Sequence, residues 1–415
     1  MMLLLIGVVL TGATQDTLAF SLDKAVARGL AVSPTVAAAD GAVAGPRGSR
    51  AEAFWPFPEN PVLEYGRIQR AGGPVTTLDW QWALTQEVEI AGQWLVRRGA
   101  AGALVTAAEI GVVDARRTVA REVRRAYATL VLAERRAALT DSAAAFAERL
   151  AALSRRLFAS GETNRLELNA TILEGARGRS AADRSRAEAD AAGADLGRLL
   201  GLPRDTLPAA EALPPIPFLT WQSDSILAAF ARTRRPDLQA AAARLESAHR
   251  SVSLSRLAVV PNLTVSAVGA REGVSDQLLG FAVGVRVPLF RRQQAGRGAA
   301  AAELAVAQAT VTATERAVTA EVVSAATRFR HARAAERRFA TEVLTAATEN
   351  VALTEQALAE GEVGVTDVLV LRASAVAAQL EYLEVLQDAA EAWFELAAAL
   401  GVEPSQLPSL LAVEN

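Results

Sequence analysis

The chain contains 415 residues with a net charge of −3 at pH 7, so it lacks the positive field with which proteins bind nucleic acid non-specifically. Cysteine is absent and only two histidines occur, which excludes disulfides and thiolate metal sites and argues against a catalytic metal centre. Alanine supplies much of the 51% hydrophobic content, and after the N-terminus no run approaches the roughly 20 apolar residues of a membrane helix.

The N-terminal segment predicts export. Residues 3–10 are apolar, and small residues follow them up to Ala13 and again at Ala19. This order is typical of the hydrophobic core and cleavage region of a secretory signal, although no Lys or Arg precedes it. We therefore expect a signal peptide over residues 1–19.

The remaining chain predicts a helix–strand–strand–long helix–helix unit that occurs twice. In the first repeat, residues 20–202, we expect helices at 22–54, 94–160 and 164–200 and strands at 62–70 and 78–90. Pro46 is expected to kink or break the first of these helices because it removes a backbone hydrogen bond. A proline-rich connection follows at 203–222. In the second repeat, residues 223–402, we expect helices at 223–259, 294–360 and 366–400 and strands at 262–271 and 278–289, before a tail at 403–415.

Direct similarity supports the duplication. The matching segments are 88–100 with 287–299 at an offset of 199, and 157–162 with 357–362 and 195–201 with 395–401 at an offset of 200. Little has therefore been inserted or lost between the copies. Two copies of one supersecondary unit indicate a single body built from two similar halves.

The second strand of each repeat alternates between apolar and polar or small residues, a period of two that indicates a strand with two different faces. The predicted apolar positions are Leu78, Trp80, Trp82, Leu84 and Val88 in the first repeat and Leu279, Phe281, Val283, Val285 and Val287 in the second. Such strands fit either a small sheet packed on helices in a soluble protein or a lipid-facing barrel wall around a polar lumen. Tryptophans near the strand ends favour the wall. Because four strands cannot close a barrel and open edges are not tolerated in lipid, the chain is expected to oligomerise.

The long helices carry a coiled-coil seam. Apolar or small residues recur at spacings of four and three from Val119 to Ala137, and again 199 residues later from Val318 to Ala332. After a change of phase, the match resumes at Ala346 with an offset of 200. The helix at 94–160 would span about 100 Å, close to the summed length of the two shorter helices of its repeat. The sequence thus predicts a helical duct with strands at one end and helix reversals at the other.

The duplicated chain resembles the TolC-like outer-membrane efflux proteins. The segments that carry the resemblance are Arg235-Pro236-Asp237-Leu238, Val260-Pro261-Asn262-Leu263, Val287-Pro288-Leu289-Phe290, Gly361 with Thr366-Asp367-Val368-Leu369, and Leu396 with Leu400-Gly401. This resemblance implies a mainly α-helical homotrimer in the bacterial outer membrane. Each chain would add four strands to a twelve-stranded transmembrane β-barrel, and its helices to a coiled-coil tunnel in the periplasm. The resemblance also implies a passive exit duct that works with a periplasmic adaptor protein and an inner-membrane RND-type pump.

The two helix reversals are the candidate functional residues. Gly161 and Gly361 are expected to give the backbone freedom for a tight turn. By resemblance, the surrounding rim meets the adaptor and acts as the gate; its residues are Gly161, Glu162, Thr163, Asn164, Gly361, Glu362, Val363, Gly364, Val365 and Thr366. Glu167 and Asp367 lie one turn inside the following helices. They are either charges that stabilise the helix start or lumen-facing acids that attract cations.

Residues 86–98 look similar to the heavy-metal branch of the family, whose pumps expel divalent cations. We predict no cofactor and no metal ligands in the chain itself, so substrate choice would belong to the pump. Two alternatives remain: an outer-membrane duct for type I protein secretion, and a soluble coiled-coil scaffold that needs no detergent. No Ser/His/Asp or paired-carboxylate arrangement in the sequence supports an enzyme.

Overall fold

A computed structural model of the chain describes residues 18–71, 76–203, 206–273, 275–290, 292–360 and 363–413. Of the predicted signal peptide, only residues 18 and 19 belong to these ranges. The elements of the first repeat are β1 (Leu18–Phe20), α1 (Leu22–Val32), α2 (Pro34–Ala42), α3 (Ala44–Glu52), β2 (Val62–Arg70), β3 (Thr77–Val88), α4 (Gln93–Ser160) and α5 (Arg165–Leu199).

The proline-rich connection contains two short strands, β4 (Pro208–Ala210) and β5 (Leu219–Thr220). The second repeat continues with α6 (Asp224–Arg234), α7 (Pro236–Leu257), β6 (Leu263–Glu272), β7 (Asp276–Val285), α8 (Gln294–Arg338), a π-helical turn (Phe339–Val343), α9 (Leu344–Glu360) and α10 (Val365–Leu400). The tail holds a 3₁₀ turn (Pro404–Gln406), α11 (Leu407–Leu410) and β8 (Ala412–Val413). The duplicated order of elements agrees with the prediction, and the fold is mostly helical.

The opening helix of each repeat is broken at positions that we did not predict. In the first repeat a break falls at Ser33, which is extended (φ −65°, ψ 121°) because the ring of Pro34 disfavours helical backbone in the residue before it. A second break falls at Val43, between α2 and α3, as expected from Pro46: its nitrogen carries no hydrogen to donate to the Ala42 carbonyl, so Pro46 lies in the first turn of the new helix α3. In the second repeat Arg235 is likewise extended, and Pro236 begins α7. The predicted single helices at 22–54 and 223–259 were therefore wrong.

The long helices agree with the prediction. α4 runs for 68 residues without interruption. The counterpart predicted at 294–360 is also helical throughout, but one turn, Phe339–Val343, has the wider π form. Within the described ranges, no helix is both long enough and apolar enough to cross a membrane.

The predicted seam is buried over its first part. The buried residues include Val119, Val123 and Leu130 in α4 and Val318, Val322 and Phe329 in α8. The later part differs, since Ala346 is exposed and Leu353 is 57% exposed, whereas Ala347 and Thr354 are buried. Beyond the π-helical turn, the buried face thus lies one residue further along the chain than we predicted.

The chain divides into two compact units, one formed by Met1–Ala37, Ala115–Arg234 and Thr319–Asn415 and the other by Ala38–Asp114 and Arg235–Val318. In the first unit, Val123, Tyr127 and Leu196 are completely buried. There β1 pairs in parallel with β4, and β5 pairs antiparallel with β8. The Tyr127 hydroxyl lies 2.9 Å from the carbonyl oxygens of both Phe20 and Glu211, so it fastens the β1–β4 pair to α4.

The second unit contains an antiparallel four-stranded sheet with the order β2-β3-β6-β7. β6 begins at Leu263, which pairs with Val88 on one side and with Val285 on the other. β3 and β7 therefore end at these residues, because no partner strand continues beyond them. The strands predicted at 78–90 and 278–289 were too long by two and four residues at this end.

Candidate functional site

The register of the sheet collects its apolar residues on one face. Directly opposite residues of an antiparallel pair point to the same side, so each cross-strand row can be followed through all four strands. Two such rows are Leu63–Leu84–Ala267–Phe281 and Tyr65–Trp82–Gly269–Leu279. The predicted residues Trp80, Val88, Val283 and Val285 lie in neighbouring rows on this face, as does Leu78 on β3. We call this surface the apolar face.

The apolar face is uncovered in the single chain. Leu279, Phe281 and Val283 expose 79%, 82% and 68% of their surface, and Leu63 on the opposite edge strand exposes 69%. Val287 is also exposed, but it lies two residues beyond the end of β7, so its predicted place in the strand was wrong. Leu63 and Tyr65 were missing from our predicted set, although their period-two spacing in β2 was a usable signal. An apolar surface of this extent on a soluble chain requires a partner or a lipid environment.

The other face of the sheet is polar or small at most positions, although Val62, Ile68, Val268 and Leu278 also lie on it. The Thr85 and Ser266 hydroxyls, which are cross-strand neighbours, lie 2.9 Å apart. Asp79 is buried at the end of the sheet that carries the hairpin turns. Its carboxylate lies 2.9 Å from the Arg70 guanidinium and accepts a 2.9 Å hydrogen bond from the Gly273 backbone N–H. Asp79 thereby ties the two hairpin ends together, a role that sequence spacing did not reveal.

Gly269 lies beneath an aromatic ring on the apolar face. It is the direct cross-strand neighbour of Trp82, and the indole covers it so closely that a Cβ at this position would lie 2.5 Å from Nε1. Carbon and nitrogen atoms do not approach that closely, so the ring occupies the space that any other residue would need. The glycine is therefore required by the position of Trp82.

Residues 86–98, which resemble the heavy-metal branch, lie where β3 leads into α4. The buried Glu89 carboxylate pairs with the Arg97 guanidinium. The Gln93 amide donates to the Asn262 side-chain oxygen at 3.2 Å, and the Asn262 amide donates to the Glu87 carboxylate at 2.8 Å. These polar groups thus bond to one another and fix the strand-to-helix junction. In the described part of the chain, no group of three or more His, Cys, Asp or Glu side chains is arranged to hold a metal.

The first helix reversal is a compact turn. Gly161 has φ +80°, in the left-handed region that favours glycine, and the Glu162 N–H donates to the Leu157 carbonyl at 2.8 Å. Asn164 caps α5, since its side-chain oxygen accepts a 3.0 Å hydrogen bond from the Glu167 N–H. The Glu167 carboxylate in turn accepts hydrogen bonds from the side chains of Asn164 and Thr163. These contacts favour the first of the two roles expected for Glu167, in which its charge stabilises the start of α5.

The helix start that follows the second reversal resembles the start of α5 but has different residues. Gly361 and Glu362 lie outside the described residues, and Val363 is half-buried. Gly364 is the N-cap residue of α10, and its N–H donates to the Asp367 carboxylate at 3.3 Å. Asp367 thus occupies the position of Glu167, but glycine offers no side chain in return. Val365 and Thr366 form the first residues of α10.

Comparison with known proteins agrees with this geometry. Residues 227–402 match the family model described as outer membrane efflux protein. The fold of almost the whole chain matches CusC (18% identity, TM-score 0.76, covering 92% of each chain) and VceC of Vibrio cholerae (18%, 0.74, 92% of this chain and 96% of that one). It also matches the CmeC outer membrane channel of Campylobacter jejuni (16%, 0.75, 93% and 88%). The second repeat is thus similar to outer membrane efflux proteins, and the chain shares the fold of these solved channels. No curated protein matches it in sequence.

These matches agree with the predicted family and outer-membrane location, and they confirm the mainly helical fold with a small strand contribution. Proteins of this family are efflux channels and not enzymes, in agreement with the absence of catalytic motifs from the sequence.

Proposed function

We propose that this TolC-like protein is the outer-membrane exit duct of a tripartite efflux system, and that it passively conducts solutes such as divalent metal cations or drugs. A periplasmic adaptor protein and an inner-membrane pump of the RND type would deliver the solute, and the pump would select it. The observation that carries the proposal is the sheet, whose residues are mostly apolar on one face and mostly polar or small on the other. A wall with these two faces separates lipid from an aqueous pore.

The edges of the sheet support a closed homotrimer. β2 and β7 each have one side without a partner strand among the described residues, and backbone groups left unpaired in lipid cost several kcal/mol each. The strands alternate in direction from β2 to β7, so β7 of one copy and β2 of the next would meet antiparallel. Three copies would give twelve strands, an even number that closes without a mismatched pair. Four strands alone cannot enclose a lumen.

The helix reversals are proposed as the rim that meets the adaptor. In the first reversal Gly161, Glu162 and Asn164 are exposed, and in the second Gly364 and Asp367 are exposed. Both turns belong to the same compact unit. Their capping bonds hold the backbone at each turn, which leaves side chains such as Glu162 available for contact.

A pair of neighbouring substitutions on β7 tests the wall. Phe281→Arg places a charge on the apolar face, where arginine costs about 2–4 kcal/mol at the centre of a bilayer, whereas Ala282→Arg places the same charge on the opposite face. We expect the wild-type protein to form detergent-stable trimers that conduct in planar bilayers. F281R should lose membrane trimers, and A282R should keep them with altered ion selectivity. A wild-type protein that stays monomeric in plain buffer, or equal tolerance of both variants, would contradict the proposal.

A further inference from the structure

Near the hairpin turns, the apolar face contains a cross-strand row with two arginines, and Gln69 and Leu78 lie one row further out. Arg67 on β2 pairs with Trp80 on β3, Trp80 pairs with Arg271 on β6, and Arg271 pairs with Gln277 on β7. This row is close to the hairpin turns, at the end of the sheet opposite to the junctions with α4 and α7. Both arginines are exposed, and Trp80 between them is half-buried. We call these three residues the arginine–tryptophan row.

The charges of the sheet are divided between its faces. The register places every other charged residue of the four strands on the polar face; these are Glu64, Arg70, Asp79, Glu87, Glu272 and Asp276. All the acids of the strands thus point away from Arg67 and Arg271, and Asp79 is paired with Arg70. Arg67 and Arg271 therefore lie near the hairpin end of the apolar face, and the strand carboxylates lie on the opposite face.

This arrangement has the chemistry of an anionic lipid headgroup site. Guanidinium groups bind phosphate through two parallel hydrogen bonds, and tryptophan favours the boundary between hydrocarbon and headgroups. Arg67 and Arg271 lie on strands separated by one other strand, so their backbones are about 10 Å apart, within the span of one headgroup. Apolar rows directly below would contact the acyl chains. The headgroup and the acyl chains of one lipid molecule could thus contact the same face of the sheet, the headgroup at the arginines and the acyl chains at the apolar rows.

We propose that the arginine–tryptophan row binds the phosphate of an anionic lipid in the outer leaflet. The inference rests on the proposed function, because only a sheet that faces lipid brings the row to a bilayer. Binding there would hold the barrel at a fixed depth in the membrane, with the hairpin turns outside.

Native mass spectrometry of the full-length protein, released from neutral micelles doped with phosphatidylglycerol or phosphatidylcholine of equal chain length, tests the site. Each basic residue near a charged membrane surface contributes about 1 kcal/mol, or roughly fivefold in affinity. We expect wild type to retain phosphatidylglycerol preferentially, R67Q and R271Q each to lose about fivefold, and R67Q/R271Q to lose the preference. Arg286→Gln, which removes an exposed arginine just beyond the far end of β7, is the matched control and should keep it.

Three outcomes would overturn the inference: an unchanged preference in R67Q/R271Q, an equal loss in R286Q, or complete displacement of the lipid by millimolar inorganic phosphate, which would indicate a free-ion site. Channel conductance in planar bilayers is measured for the same preparations. If wild type conducts but shows no lipid preference, only this inference fails. If wild type forms no channel, the proposed function fails.

Discussion

Replacing Gly269 by alanine tests whether the indole of Trp82 dictates this position of the sheet. The added Cβ would lie 2.5, 2.7 and 2.9 Å from Nε1, Cε2 and Cζ2 of Trp82, whereas ordinary contact begins near 3.4 Å. The ring must therefore move and give up its packing on β6. Overpacking of this kind costs about 1–3 kcal/mol, against a gain of about 0.5–1 kcal/mol from the lower chain entropy of alanine. We expect a net loss of about 1–2 kcal/mol.

Gly280→Ala is the matched control. Gly280 lies in the adjacent strand β7, and a Cβ there would meet only the Val268 Cγ2 atom at 3.7 Å, an ordinary contact. This variant should gain up to about 1 kcal/mol, because only the entropy effect applies. The two glycine-to-alanine changes are thus expected to have opposite signs. Thermal and denaturant-induced unfolding of the purified protein, followed by tryptophan fluorescence and circular dichroism, measures both.

A third variant isolates the cause. In a Trp82→Leu background the aromatic ring is gone, so Gly269→Ala should lose its penalty and behave like Gly280→Ala. If G269A is as stable as G280A in the wild-type background, the close contact does not control the position. A penalty that persists without Trp82 would show that the backbone, and not the ring, requires glycine.

Two further predictions concern the helical unit. Burial, and next the charge of Glu211, raise the pKa of Tyr127 to about 12 from an ordinary value near 10. Tyr127 therefore ionises at a lower pH in the unfolded chain than in the folded one. Its contribution to the free energy of unfolding should be fully present below pH 10, and the free energy should fall by up to about 3 kcal/mol as the pH rises towards 12. The Tyr127→Phe variant should be about 1 kcal/mol less stable than wild type at pH 7, and its free energy of unfolding should change less with pH above pH 10. The same dependence on pH in the variant as in wild type would contradict this. At the rim, Gly364 has φ −79° and tolerates a side chain, so Gly364→Arg should abolish efflux in a resistance assay while trimers persist on gels. Gly364→Ala, whose Cβ would make an ordinary 3.5 Å contact with Asp367, should keep resistance, and wild-type resistance in G364R would refute the rim assignment.

The sequence predicted those parts of the fold that rest on long periodic patterns. β3, α4 and α10 each repeat one spacing over many residues, and their predicted bounds agree with the structure to within two residues. The breaks before Pro34 and Pro236 were missed, although the effect of proline on the preceding residue was a usable signal. The strands β4 and β5 contain only three and two residues, too few to show any period.

The features that depend on register could not be read from one sequence. Arg67 and Arg271 are 204 residues apart, and only strand pairing shows that Trp80 lies between them. The hydrogen bond from the Gly273 N–H to the buried Asp79 likewise depends on two hairpins meeting at their ends. For the rim, the sequence predicted helix starts at 164 and 366, close to the N-cap residues Asn164 and Gly364 of the structure, because a helix start depends on local residues.

The π-helical turn explains why the two halves differ by a single residue. Phe339–Val343 falls between Ala332, where the copies still align at an offset of 199, and Ala346, where they align at 200. A turn of this kind accommodates one more residue than an α-helical turn. The extra residue of the second copy is therefore accommodated within one turn of the helix, and beyond it Ala347 is buried like its counterpart Ala147 in the first copy.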